Sequence, residues 1–148
     1  GRPGHPTRER VMYLLDTNVV SELRKRRGDS GVKQWVAKQS VADLAISVVT
    51  VIEIETGILR RERTDPDQAQ ILTRWFEQNV LTGFADRILP LDLAAARRVA
   101  SLHVPDQAPQ HDALIAGTAL ARGLTVVTRN TRDFERSGVE YLNPWGAT

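Results

Sequence analysis

Apolar and polar positions follow two rhythms along this chain. Five short runs, Met12 to Leu15, Leu44 to Ser47, Ile88 to Leu91, Thr125 to Thr128 and Glu140 to Leu142, carry the β-branched and aliphatic residues of strands. Between them, Val19 to Lys25, Val32 to Lys38, Val51 to Arg61, Gln68 to Leu81, Ala94 to His103 and Ala113 to Arg122 repeat apolar residues near the helical period. Gly28, Pro66, Gly83, Pro90, Pro105, Pro109 and Gly123 stand at the breaks, where such residues stop or cap helices. Strands that are apolar on both faces, as "AISVV" and "LTVVT" are, belong in a parallel sheet covered by helices on each side. The pattern therefore predicts an α/β sandwich with a mainly parallel central sheet of about five short strands, free of repeats and low-complexity segments.

The opening "GRPGHPTRER" has neither rhythm, so residues 1–10 read as a flexible tail or expression remnant and residues 11–148 as a single domain. A chain of 148 residues is long enough to bury one core without staples. With 41% hydrophobic and 26% charged residues, composition is that of an ordinary globular domain and acts mainly by exclusion. The absence of cysteine closes disulfides, thiolate metal sites and thiol nucleophiles. Because no apolar run approaches the roughly 20 residues of a membrane span, a soluble, cytoplasmic protein with no membrane role is expected. A net charge of +2 does not advertise nucleic-acid binding. Lysine occurs only at Lys25, Lys33 and Lys38, and the arginine bias fits phosphate contact and GC-rich codon usage alike.

Placing the acids on this map changes the picture, because open α/β sheets bind ligands outside the carboxyl ends of their strands. Asp16 directly follows the first strand, Glu53 lies in the first helical turn after the second, Asp112 opens the helix before the fourth strand, and Asp133 lies just beyond that strand. Each also suits a helix start, where a carboxylate accepts from free N–H groups. Thr50 and Glu53 have the spacing of a capping box, and Asp112 and Asp133 could be helix-entry residues. Asp16 differs, since its neighbours Thr17 and Asn18 already offer caps and leave the innermost polar residue surplus. Several carboxylates converging on one sheet edge would repel one another unless a cation sat between them. Oxygen ligands without cysteine, and with His5, His103 and His111 scattered, select Mg²⁺ or Mn²⁺ over zinc, and Mg²⁺ chemistry points to water attacking a phosphodiester. His111 reads as a half-exposed polar residue with no catalytic part.

The stretches "YLLDTNVVSEL", "ISVVTVIEIETGI", "HDALIAGTALARGLTVVTRNTRDFE" and "NPW", taken in order, resemble the PIN-domain ribonucleases, specifically the VapC-like toxins of bacterial toxin–antitoxin pairs. The likeness spans Met12 to Trp145 and implies a PIN-like three-layer α/β/α sandwich with an acidic pocket that holds Mg²⁺, or Mn²⁺ in its place, and cleaves RNA. Carried over residue by residue, it implies acids at Asp16, Glu53 and Asp112, with Asp16 and Asp112 holding the metal. The fourth acid falls at Asp133, with Asn130 as its amide neighbour in place of the aspartate some relatives carry. Thr17, Asn18 and Thr128 take supporting roles, and Gly57 serves close helix packing. The resemblance also implies a homodimer silenced by a VapB-like antitoxin. Basic groups must guide RNA to an acidic pocket, and the candidates are Arg129, Arg132 and the "RKRR" run from Arg24 to Arg27.

Two other readings fit part of the pattern. A haloacid-dehalogenase-type phosphatase also puts Asp after the first strand, but needs a second Asp where Asn18 stands and a later lysine, and no lysine follows Lys38. A non-catalytic PIN-like binding module would treat Asn130 as the mark of a lost acid.

Overall fold

The computed structural model describes residues 11–146. The proposed tail at 1–10 and the last two residues of the proposed domain lie outside them. Five parallel strands, β1 (Tyr13–Leu15), β2 (Leu44–Ser47), β3 (Ile88–Leu89), β4 (Thr125–Val127) and β5 (Tyr141–Leu142), form one sheet in the order β3-β2-β1-β4-β5. Six α-helices connect or flank them: α1 (Thr17–Arg24), α2 (Ser30–Lys38), α3 (Val48–Glu62), α4 (Pro66–Trp75), α5 (Leu93–Leu102) and α6 (Gln110–Arg122).

Alternation along the strands divides the core in two. Leu15, Ile46 and Val127 join Val19, Val32, Ile54, Ile58 and Phe76 on one face, under α1 to α4. Leu14, Ala45 and Val126 point the other way, against Ile115, Ala116 and Ala119 of α6 and against Phe134. Helix α5 then packs on α6 at Gly117, where an added Cβ would come within 2.4 Å of the Val99 side chain and 3.0 Å of the Ala95 carbonyl oxygen. Gly117 is thus the close-packing glycine. Gly57, expected in that role, has nothing within 4 Å of an added Cβ.

The chain runs outward from β1 through β2 to β3, then returns to the opposite side of β1 for β4 and β5. This reversal makes the carboxyl ends of β1 and β4 the topological switch point, where adjacent connections leave in opposite directions and open a crevice. The expected strands are all present. Four are shorter than expected by one or two residues: β1 begins at Tyr13, β5 begins at Tyr141, β4 ends at Val127, and β3 stops at Leu89 before Pro90, which has no N–H to pair.

Helix boundaries moved more. Helix α3 starts at Val48, three residues before the expected Val51, because Ser47 at the end of β2 caps it by accepting from the Val49 N–H at 3.0 Å. Thr50 is consequently buried inside the helix, and Thr50 with Glu53 forms no capping box. The expected helix from Gln68 to Leu81 divides into α4 and a π-helical stretch, Phe76–Thr82. A 3₁₀ segment, Thr131–Ser137, follows β4 where no element was expected, with Phe134 buried beneath it.

Candidate metal centre and nucleic-acid site

Asp16 is the anchor of the crevice. Its backbone N–H extends the β1–β4 ladder by donating to the Val127 carbonyl at 2.9 Å, so the residue is held in register with the end of β4. It is also the N-cap of α1, a role the sequence assigned to its neighbours, and its Oδ1 accepts from the Thr17 N–H at 2.8 Å. The Thr128 hydroxyl donates to Oδ2 at 2.8 Å, and the Asn18 amide approaches the same oxygen at 3.4 Å. With 1% exposure, this carboxylate depends on protein donors in place of water.

The supporting residues divide into two chains of contact. Asn18 spans the gap between strands: its Nδ2 lies 3.4 Å from Thr128 Oγ1 and its Oδ1 accepts from the Arg129 N–H at 3.4 Å. The Asn130 N–H donates to Thr128 Oγ1 at 3.0 Å, which aims the threonine proton at Asp16. Thr17 turns the other way and donates to Glu53 Oε1 at 2.7 Å. Since a hydroxyl has one proton, the 3.0 Å contact between Thr17 and Thr50 must use the Thr50 proton. Glu53, in the second turn of α3, is therefore tied to α1.

His111, which the sequence left without a part, stands among these acids. Its Nε2 lies 3.1 Å from Asp16 Oδ1 and 3.9 Å from Asp112 Oδ1, while its Nδ1 lies 2.8 Å from Glu53 Oε1. The Nδ1 contact is short but misaligned for a hydrogen bond, so it acts through charge. The bond to Asp16 raises the imidazole pKa, burial opposes this, and the charges of Asp16, Glu53 and Asp112 add to the rise. The signal for it was available: His111 immediately precedes an acid in the first turn of a helix, one residue from a position already singled out.

Asp112 lies in that first turn, buried, with its carboxyl pKa raised from 3.8 to about 6. Burial is the largest cause, the charge of Asp133 the next, and His111 pulls the other way. Asp16, His111 and Asp112 each offer a ligand atom within 4.8 Å of the others, a spacing that suits a divalent cation. Glu53 reaches this group through Thr17 and His111. Asp133 stands apart on the exposed 3₁₀ segment and acts on Asp112 through charge across a shared cavity.

The basic candidates separate as well. Arg129 lays its guanidinium over the Trp145 ring at 5.5 Å, and Arg24 lies 6.0 Å from the Trp75 ring. Lys25 pairs with Glu22 at 3.0 Å, while Arg26 and Arg27 are exposed. Arg132 lines the cavity beside Asp112 and Asp133 without an ion pair among the described residues. Among the large aromatics, Phe76 is core, and Trp35, Trp75 and Trp145 pack half-buried against the same cluster.

An all-parallel sheet with buried carboxylates gathered at its switch point defines the class as an α/β protein with an acidic crevice at the carboxyl edge of its sheet. The PIN domain pattern matches residues 13–139. Among curated proteins, the chain is 37% identical to the VapC ribonuclease Y4jK of Sinorhizobium fredii, over 90% of this chain and 98% of that one. It is 35% identical to the Toxin FitB of Neisseria gonorrhoeae, over 90% and 99%. The crystal structure of FitAcB from Neisseria gonorrhoeae superimposes with a TM-score of 0.84 at 33% identity, covering 91% of this chain and 99% of that chain. The chain belongs to the PIN domain family, within its VapC-like branch, which displaces the phosphatase reading. No helix among the described residues is long and apolar enough to cross a membrane.

Proposed function

We propose that this protein is a metal-dependent endoribonuclease that acts as the toxin of a toxin–antitoxin pair. The observation that carries the reading is the convergence of Asp16, His111 and Asp112 within 4.8 Å at the switch point of a PIN fold, in a chain 37% identical to a VapC ribonuclease. Asp16 and Asp112 hold Mg²⁺, with Mn²⁺ as a substitute, and Glu53 and Asp133 complete the acidic pocket. When bound, the cation supplies Lewis acidity, making water a stronger nucleophile and neutralising charge on the phosphate.

The residues fit such a group, because Asp16, His111 and Asp112 offer ligand atoms within 4.8 Å of one another, and burial together with the Asp133 charge raises the Asp112 pKa to about 6. Thr128 and Asn18 fix the direction of the Asp16 carboxylate, Asn130 aims Thr128, and Thr17 directs Glu53. His111, whose pKa the bond to Asp16 raises, stands in the negative centre and would have to move or serve as a neutral ligand when a cation enters. Arg129 and Arg132 contact the RNA backbone. It would act as a homodimer in the cytoplasm, and the relative named a toxin supports a small VapB-like antitoxin as the neutralising partner.

Purified protein incubated with a mixed RNA pool and Mg²⁺ should generate internal cuts that stop on addition of EDTA. Cutting that is indifferent to EDTA would overturn the metal assignment. No cutting at all, at any divalent ion, would leave a binding module.

A further inference from the structure

A cavity of about 380 Å³ opens beside the acids, between the end of α5, the start of α6 and the 3₁₀ segment. Leu102, Pro105, Ala113 and Ala116 give it an apolar lining, and Asp112, itself a member of the acid cluster, lines it together with Asp133. Arg132 and Arg136 line it as well. Arg136 is engaged, donating to the Asp106 carbonyl at 3.4 Å, and His103 Nδ1 accepts from the Ala108 N–H at 3.1 Å. The first bond ties the loop between α5 and α6 to the 3₁₀ segment, and the second folds that loop back on the end of α5, so the cavity walls are braced by the protein itself.

Arg132 is different. It shares the wall with two carboxylates yet pairs with neither, and the charges acting on Asp112 come from Asp133, His111, Asp16 and Glu53. A guanidinium without an ion pair among the described residues, an apolar recess and a volume within the roughly 300–1,000 Å³ range of small-ligand sites together match one nucleotide: a base for the recess and a phosphate for the arginine. Val104, 73% exposed on the rim, adds apolar surface that a base would cover.

We propose that this cavity is the specificity pocket of the enzyme, taking the unstacked base of the nucleotide next to the cut while Arg132 holds that nucleotide's phosphate. The proposal rests on the ribonuclease reading and deepens it. Continuity with Asp112 and Asp133 sets the position: a chain whose phosphate lies at the acids has its neighbouring nucleotide at the cavity mouth. Preference for one base follows from the shape of the recess and not from the acids, so filling the recess removes preference while leaving the cutting machinery intact.

The test uses Ser101→Trp and Ala108→Phe, which fill the cavity from exposed or half-exposed positions outside the acid cluster. Random-sequence single-stranded RNA is cut in Mg²⁺ and the new ends are sequenced. Wild-type protein should favour one base beside the cut. Both variants should still cut the pool in a metal-dependent way, with that preference flattened and KM for the favoured oligonucleotide raised roughly tenfold at similar kcat, the loss expected when a base loses its seat. An undiminished preference in a folded, cavity-filled variant overturns the proposal. Should both variants unfold, Arg132→Gln decides: raised KM at unchanged Tm supports the pocket, and unchanged KM overturns it. If wild-type protein cuts nothing, the ribonuclease reading fails by itself, and binding of the same RNA in Ca²⁺ judges the cavity. Weaker binding by the filled variants then supports it, and equal binding overturns it.

Discussion

The two walls of the acidic crevice are built on different principles. On the β1–β4 wall, Asp16 is almost fully buried and accepts hydrogen bonds from the Thr17 N–H and the Thr128 hydroxyl. On the α6 wall, Asp112 has no such set of donors and answers burial and the charge of Asp133 by keeping its proton to about pH 6. One wall is preorganised by donors; the other is not. On the proposed function, a divalent ion would find one ligand already aimed, and would compete with a proton for the second below about pH 6.

Asp16→Asn removes the anchor and should have the largest effect on activity. Losing a charge stabilisation of several kcal/mol corresponds to about three orders of magnitude in metal-dependent RNA cleavage. Asparagine still caps α1, so thermal unfolding of the metal-free variant should change little. Cleavage within tenfold of wild type would remove Asp16 from the mechanism.

Thr128→Val tests whether donors aim the anchor. It deprives Oδ2 of its shortest hydrogen bond without changing the shape of the site, and should weaken Mg²⁺ affinity or activity by roughly 10–100-fold. Titration calorimetry on the variant that returned the wild-type affinity would show the donors to be dispensable.

Asp112→Asn probes the opposite wall through pH. A carboxyl whose folded pKa is raised, from 3.8 to about 6, stabilises the folded state fully below the lower value and loses that contribution as pH rises through the upper one. The raised His111 works in the same direction, with its contribution present below 6.5 and lost as pH climbs through its folded value. Metal-free wild-type protein should thus gain Tm as pH falls toward 5, and the variant should flatten this slope. Mg²⁺, competing with the same proton, should raise the wild-type Tm more as pH rises through about 6. A Tm profile unaltered by the substitution would count against an unsatisfied α6 wall.

Asp133→Asn should give the smallest change. It removes the leading charge acting on Asp112, so the Asp112 pKa should move down toward its ordinary value, visible by carboxyl NMR titration. Activity should fall by about tenfold or less, as for a charge acting across a distance. An unmoved Asp112 titration would separate the two acids.

Much of this was legible in the chain. Periods of two and of 3.6 depend on which face is buried, and for strands as short as "LAIS" every residue is buried, so the parallel sheet could be read from composition alone. Asp16 was legible because a carboxylate directly after a buried strand is costly without a purpose. His111 was not, since its meaning depends on Asp16 and Glu53, which stand 95 and 58 residues earlier by number and meet it only through β1 and α3. Glu53 was read partly as a capping residue because local spacing offered Thr50; the cap was instead made by Ser47. Gly57 and Gly117 could not be ranked for close packing, because neither sequence position states which helix passes overhead.

By itself the sequence determined the layered α/β architecture, the acids at strand and helix ends, and the family motifs that join them, all of which follow from local burial, backbone chemistry and residue order. Tertiary structure alone decided that β1 lies between β2 and β4, which places Thr128 on Asp16, His111 between three acids and an open cavity beside Asp112. The physical reason is that hydrogen bonds, Coulomb forces and steric contact act over a few ångströms of space, while the residues that exchange them here lie far apart along the chain.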